Sequence, residues 1–290
     1  MKKWGFAKVQ MKIESVAENT LGESSSHMAA LGRGHVRAAH AARCTQALRI
    51  SNHLSSEVQK NLLLAALPLA ELQRWLPLFE VVDLPLGLVL CEAGDLPTHA
   101  YFPTTAIVSL LYVMEDGASA ETAMVGNDGM VGVTLFMGGQ PAASRSVVRG
   151  AGIALRLSAE ALNIAFNGSR TVMQLLLRYS QALITQMAQT AVCNRHHTLD
   201  KQLCRWLLLS LDRLPGNELA MTQELIANLL GVRREGVTDA ATKLQHAGLI
   251  SYSRGHITIL NRPGLEQCSC ECYGVVKNEY DRLLTPTSTA

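Results

Sequence analysis

Hydrophobic residues change their spacing along this chain, and each change marks a new kind of element. Between Ser51 and Leu78 leucines recur at helical steps: Leu54, the run Leu62-Leu63-Leu64, then Leu69 to Trp75. That spacing predicts short helices, with Ser56 or Asn61 as an N-cap. From Phe79 to Leu157 the apolar runs shorten and fall between turn residues. Strands are predicted at 79–84, 88–91, 99–103, 106–114, 118–125, 146–149 and 152–157. The turns between them include Glu92-Ala93-Gly94-Asp95, Glu115-Asp116-Gly117, Gly126-Asn127-Asp128-Gly129 and Gly138-Gly139. Strands at this spacing predict a double-stranded β-helix, or jelly roll.

A helical period returns at 170–194, where Val172, Leu176, Tyr179, Leu183, Met187 and Ala191 recur at three- and four-residue steps. Such a stripe suits packing against a partner helix, and a core helix would show the same stripe. A further helix at 198–214 carries Leu199, Leu203, Trp206, Leu207 and Leu211 and is broken by Pro215-Gly216-Asn217.

The stretch Met221 to Leu260 is the most informative. Thr222 is a plausible N-cap for a helix bearing Leu225, Ile226, Leu229 and Leu230. Gly231 sits where a left-handed residue would turn the chain. A second helix starts near Val232 and buries Val237, Ala240, Ala241, Leu244 and Ala247. Gly248 ends it. Two strand-like runs at 249–252 and 256–260 flank the turn Ser253-Arg254-Gly255. The order is helix, turn, helix, wing. The whole chain is thus α+β: an N-terminal roll, a long helix, and a C-terminal winged helix-turn-helix.

A helix entering the major groove reads bases from its N-terminal turns. Here those turns offer Arg233, Arg234, Glu235, Thr238 and Asp239. Arg can donate twice to guanine and Glu can accept from cytosine, so Arg233, Arg234, Glu235 and Thr238 are the candidate base readers. Thr222, Lys243 and Arg254 are candidate phosphate contacts. A solvated charged face on an ordinary helical hairpin would show similar residues; the wing and the Gly231 turn favour double-stranded DNA as partner.

This stretch resembles the winged helix of the Crp/Fnr family of bacterial transcription regulators. The resemblance rests on Thr222-Gln223, Arg234-Glu235 and Leu249-Ile250, and extends from roughly Leu62 to Leu265 through the order of the strands. Gly236 departs from the Thr or Ser usual in the family, and Asp239 from a basic or amide residue. The resemblance implies a cyclic-nucleotide-binding-like sensor domain over 51–165, a dimerisation helix over 166–197, a DNA-binding domain over 198–265 and a tail over 266–290. It further implies a homodimer on a palindromic operator, with half-sites ~34 Å apart, and RNA polymerase as a further partner. The family's nucleotide cassette pairs Gly-Glu, for the ribose, with Arg-Ser, for the cyclic phosphate. This chain keeps Arg145-Ser146 and has Val133 where the glutamate belongs. A lost partner for a buried hydroxyl costs about 1–3 kcal/mol, so the effector is expected to be something other than cyclic AMP. No cofactor is assigned. Loss of ligand response altogether, leaving constitutive DNA binding, is a further reading.

Composition narrows the picture modestly. The 290 residues suffice for two domains, and the net charge of +2 excludes a polycationic nucleic-acid coat. No apolar run approaches the ~20 residues of a membrane span, and no signal-peptide pattern follows Lys2-Lys3; a cytoplasmic protein is expected. Residues 1–50, rich in Ala, Gly, Ser, His and Arg, read as a disordered basic extension. Seven cysteines, Cys44, Cys91, Cys193, Cys204, Cys268, Cys270 and Cys272, are too scattered for a secreted disulfide framework. The spacing of Cys268, Cys270 and Cys272 does not match a usual zinc motif, and His196-His197 beside Cys193 reads as a polar helix junction, so no metal site is assigned. Two alternatives stay open. One is a metal or redox sensor using these thiols. The other is a cupin-type enzyme, for which the strands offer His99 without the usual partners. No catalytic residues are assigned.

Overall fold

The computed structural model describes residues 54–138 and 141–284. The expected basic extension over 1–50, with Cys44, lies outside the described residues.

Helical turns at 54–60, Leu62–Ala65 and Leu69–Trp75 open the described chain. Asn61 caps the second of these, its Oδ1 accepting from Leu64 N at 3.1 Å. Its amide donates to Pro103 O at 2.8 Å and Gly129 O at 2.9 Å, so one buried side chain ties the helices to the roll.

The roll is a β-sandwich of seven strands: β1 (Glu80–Leu84), β2 (Val89–Cys91), β3 (His99–Pro103), β4 (Ile107–Val113), β5 (Ser119–Val125), β6 (Arg145–Gly150) and β7 (Gly152–Ser158). One sheet runs β1-β7-β3 and the other β2-β6-β4-β5, with every pair antiparallel. Apolar side chains from both sheets, among them Phe102, Val108, Leu110, Val147 and Leu155, join one buried core. Trp75, Phe79 and Phe102 meet as an aromatic trio beside it, with centroids 5.7–6.2 Å apart. That burial, at about 25 cal/mol per Å² of apolar surface, is the main stabilising term.

A helix that the hydrophobic pattern did not single out, Ala159–Gly168, precedes the long one. It ends at Ser169, whose extended backbone breaks the helix and whose hydroxyl caps the next one, Arg170–His196. The long helix lays Val172, Leu176, Tyr179 and Leu183 inward. Through Leu183 the predicted stripe is therefore the chain's own core face, filled by the roll and by a terminal helix, Glu271–Leu284; Met187 is half-buried, and Ala191, expected on the same face, is exposed. Tyr179 fits because Gly129 has no side chain: a Cβ there would lie 2.3 Å from the ring. Its hydroxyl donates to Met130 O at 2.8 Å.

After the wing come two helices, Arg262–Cys268, which straddles the expected boundary at 265, and Glu271–Leu284, which lies within the stretch 266–290 expected as a tail. Tyr280, Leu283 and Leu284 of the second are buried. Between long helix and wing, Leu199–Leu211 is buried on nearly all sides, from Gln202 through Leu211. It is surrounded by the long helix, the wing, the terminal helices and the second helix of the pair. Several of its polar groups are bonded, Arg205 to Thr190 Oγ1 at 3.2 Å, Trp206 Nε1 to Glu121 at 2.9 Å and Ser210 to Trp206 O at 2.9 Å, while Arg205 Nε and Gln202 Oε1 are buried without a hydrogen-bond partner among the described residues. Among the described residues no helix is long and apolar enough to cross a membrane.

Candidate nucleic-acid interface

The first helix of the pair spans Gln223–Leu230. Thr222 caps it, its Oγ1 accepting from Leu225 N at 3.2 Å. Gly231 turns the chain at φ 66°, ψ 36°, the left-handed region. The second helix spans Arg234–His246, with Arg233 at the N-cap; it starts two residues later than the hydrophobic pattern suggests. It buries Val237, Ala240, Ala241 and Leu244. Ala247, expected inside, is exposed because the helix has already ended there.

The wing has three strands, not two: β8 (Glu218–Ala220), β9 (Ile250–Ser253) and β10 (His256–Ile259), in the order β8-β10-β9. β8 follows the Pro-Gly break directly, and its short run Glu218-Leu219-Ala220 carries no readable strand period. Ser253 pairs with His256, so the hairpin loop is the two residues Arg254 and Gly255. Both have positive φ, 49° and 80°. That is the signature of a type I′ turn, which matches the twist of the flanking strands and normally recruits Asn or Gly. Arg254 occupies it at a cost of about 1–2 kcal/mol in backbone sterics.

An open cleft of about 490 Å³ separates the wing from the start of the second helix. Thr222, Gln223 and Glu224 form one wall, with Arg234, Tyr252, Arg254 and Gly255 completing it. Arg233, Arg234 and Glu235 are exposed, and among the described residues none of them, nor Arg254, has an ion-pair partner. Thr238 is half-buried, and its hydroxyl donates to Gln223 Oε1 at 2.8 Å and lies 3.1 Å from Arg234 O. Lys243 lies apart from this cleft, paired with Asp200 at 3.0 Å. Gly236 lies against Leu199: a Cβ there would be 2.9 Å from Leu199 Cδ2. Gln223, which carries part of the family resemblance, and Tyr252 are not among the DNA contacts the sequence predicts. Tyr252 is fixed by its hydroxyl to Met221 O at 2.8 Å and by its N–H to Gln245 Oε1 at 2.9 Å.

The roll has its own cavity, about 170 Å³, lined by Tyr101, Leu110, Val133, Ser144, Ser146 and Met187 among others. Small-molecule sites run to about 300–1,000 Å³. Among the described residues no Arg, Lys, Asp or Glu lines it. Arg145 turns to Glu92 instead, Nε to carboxylate 3.0 Å. The Arg-Ser pair is thus split: Ser146 faces the cavity and Arg145 does not.

Two pairs distant from each other in sequence, Cys193 with His197 and Cys270 with Cys272, come together away from both sites. His196 stays exposed, Cys268 is exposed and Cys204 is buried. His99, the strand residue considered for a cupin-type site, bonds Thr98 and belongs to no cluster of metal-ligating groups among the described residues.

The sequence model of the cyclic nucleotide-binding domain matches residues 81–168, and that of the Crp-like helix-turn-helix domain matches 201–268. The chain belongs to the Crp/Fnr family of transcription regulators. Solved Crp/Fnr structures share its fold. A regulator assigned to the family from Eubacterium rectale is 20% identical over 70% of this chain and 94% of its own, with a TM-score of 0.56. FixK2 from Bradyrhizobium japonicum is 14% identical over 66% and 98%, with a TM-score of 0.55. A family member from Thermus thermophilus is 21% identical over 66% and 98%, with a TM-score of 0.54. No curated protein matches the chain. As a Crp/Fnr regulator the protein carries its nucleotide-type roll and its DNA-binding module in one chain.

Proposed function

We propose that this Crp/Fnr regulator binds a palindromic operator as a homodimer, and that its roll answers to an effector other than cyclic AMP. The observation that carries the DNA reading is the cleft between the second helix and the wing, with Arg234 on one side and Arg254 on the other. Arg233, Arg234 and Glu235 face solvent at the helix start, where a helix in the major groove meets base edges. Arg254 and the hydroxyl of Thr222 lie beside them, in reach of backbone phosphates. Thr238 contributes by fixing Gln223 at the cleft. Lys243 reaches phosphate only by leaving Asp200.

The dimer reading is supported by a second apolar stripe on the long helix. Leu177, Ile184 and Val192 are 47%, 57% and 48% exposed. Leu177, Ile184 and the exposed Ala188 and Ala191 follow steps of seven, four and three, the spacing of a coiled-coil seam, with Val192 beside its end. The effector reading is supported by Val133 in place of an acid, by the small uncharged cavity and by the diversion of Arg145 to Glu92. Among the described residues a cyclic phosphate would meet no arginine or lysine there, His99 being the one basic side chain in the lining.

Selection of bound duplexes from a random pool, with purified full-length protein and no effector, tests the proposal. Enrichment of a palindrome, unchanged by added cyclic AMP, is expected. Enrichment of a single half-site would refute the dimer, and dependence on cyclic AMP would refute the effector reading.

A further inference from the structure

The last turn of the long helix and the first turn of the terminal helix converge on a knot of sulfur and nitrogen. Cys193 lies in the last turn of the long helix and His197 is its C-cap, the His197 N–H donating to Cys193 O at 3.0 Å. Cys270 and Cys272 flank Glu271, where the terminal helix begins. Sγ of Cys193 lies 3.5 Å from Sγ of Cys270, and Sγ of Cys272 lies 3.4 Å from Nδ1 of His197. All four donor atoms fall within 4.8 Å of one another. The three thiols are at most 4% exposed and form a cluster separate from the main apolar core.

We propose that Cys193, His197, Cys270 and Cys272 bind one tetrahedral thiophilic divalent cation, of which zinc is the type, as a closed structural site. Zinc–sulfur bonds of ~2.3 Å and zinc–nitrogen bonds of ~2.0 Å set tetrahedral edges of roughly 3.5–3.8 Å. The two closest donor pairs already stand near that separation, and the widest must contract by about 1 Å. Three cysteines and one histidine fill four positions, which leaves none open for substrate and makes the site structural.

The surroundings supply what such ligands need. His197 turns Nδ1 to the thiols and Nε2 to Glu271, 3.4 Å away, an arrangement that fixes the ring of a metal-binding histidine. Gln189 Nε2 donates to Cys272 Sγ at 3.1 Å. The start of the terminal helix favours negative charge on Cys270 and Cys272. Each coordinating thiol gives its proton to solvent, and the resulting single negative charge sits near the Arg205 guanidinium.

The site brackets the winged helix. The chain leaves at His197, builds the DNA-binding module and returns at Cys270. A cation joining these points closes that loop and fixes the module against the long helix, because a cross-link between distant residues removes chain entropy from the open state.

The test uses full-length protein purified under reducing conditions. About one zinc per chain by elemental analysis is expected. Cobalt replacing it should give the intense visible bands of tetrahedral thiolate coordination, bleached by added zinc. Cys193→Ser, Cys270→Ser, Cys272→Ser and His197→Gln should each weaken zinc binding by at least about 100-fold, and Gln189→Ala by about 10-fold, the usual range for an outer partner. Cys91→Ser and Cys268→Ser should leave stoichiometry unchanged. If the ligand variants misfold, the cobalt spectrum of the unaltered protein still decides. Reduced, folded protein that takes up neither metal would overturn the proposal. So would a Cys193–Cys270 disulfide in protein isolated without reductant, together with no metal uptake once it is reduced. These readouts do not depend on DNA, so they stand or fall apart from the regulator reading.

Discussion

Trp206 donates its indole N–H to the carboxylate of Glu121 across 2.9 Å, joining the helix that carries the DNA-binding module to strand β5 of the roll. Ser109 donates to the same carboxylate. Glu121 is 7% exposed, and burial holds its carboxyl above the usual carboxylate range, against the opposing effect of those two hydrogen bonds. The first helix of the winged pair packs on the same strand. Strand β5 therefore meets the DNA-binding module twice, through this bond and through that helix.

A carboxyl whose folded pKa exceeds its unfolded value binds its proton more tightly in the native state. Its contribution to stability is complete below the unfolded value, about 4.3, and is lost as pH rises through the folded value. Glu121→Gln keeps an acceptor for Trp206 and removes the ionisation. Its stability relative to the parent should increase from pH ~4 to pH 7, measured by urea unfolding at both. A difference that is flat or falls with pH would show that folding does not raise the carboxyl's pKa. Glu121→Ala should instead cost about 1–3 kcal/mol by stranding two buried donors.

Arg213 is 2% exposed and pairs with Asp128 at 2.6 Å. It donates to Gln186 Oε1 at 3.1 Å and to Leu209 O at 2.8 Å, and stacks 5.5 Å from the centre of the Tyr280 ring. Removing the acid leaves a buried cation without its counter-charge. Asp128→Ala should cost about 3–5 kcal/mol, read from denaturant midpoints, and Asp128→Asn less. A loss below about 1 kcal/mol would mean water reaches the guanidinium.

Arg254 pits the turn against the ligand. Asn tolerates the left-handed backbone better, so Arg254→Asn should leave the fold as stable or up to ~1 kcal/mol more stable. The same change should weaken binding to all DNA sequences and lower the salt slope by about one. Arg234→Ala should differ, costing about 1–3 kcal/mol on the operator and little on random DNA. Equal losses on both duplexes from Arg234→Ala would place it on phosphate.

Leu177 and Ile184 point away from the chain's own core. The double substitution Leu177→Glu with Ile184→Glu should therefore leave the chain folded, by circular dichroism, and convert dimer to monomer by sedimentation. Palindrome binding should fall with it. A dimer that survives both glutamates would put the two-fold contact elsewhere.

The period of the hydrophobic pattern determined a good deal of this protein unaided. Strand His99–Pro103 falls where it was predicted, Thr222 and Asn61 cap the helices they precede, and Gly231 adopts the left-handed turn. These are local features: capping, turns and strand alternation depend on neighbours within a few residues, so the sequence displays them. The tertiary structure decided what depends on distant neighbours. It turned Val172, Leu176, Tyr179 and Leu183 into the chain's own core and left Leu177, Ile184 and Val192 as the open face. A helix's periodicity reports that a face is buried, not what buries it. It separated Arg145 from the cavity that Ser146 lines, since alternate residues on a strand point to opposite faces. It also packed the two helices after the wing, the first on Leu199–Leu211 and the second on both that helix and the long one, partners that lie far away in sequence. Most plainly, it brought Cys270 within 3.5 Å of Cys193, 77 residues away in sequence. No local spacing encodes that pairing, because it exists only once the wing has folded and returned the chain to the end of the long helix.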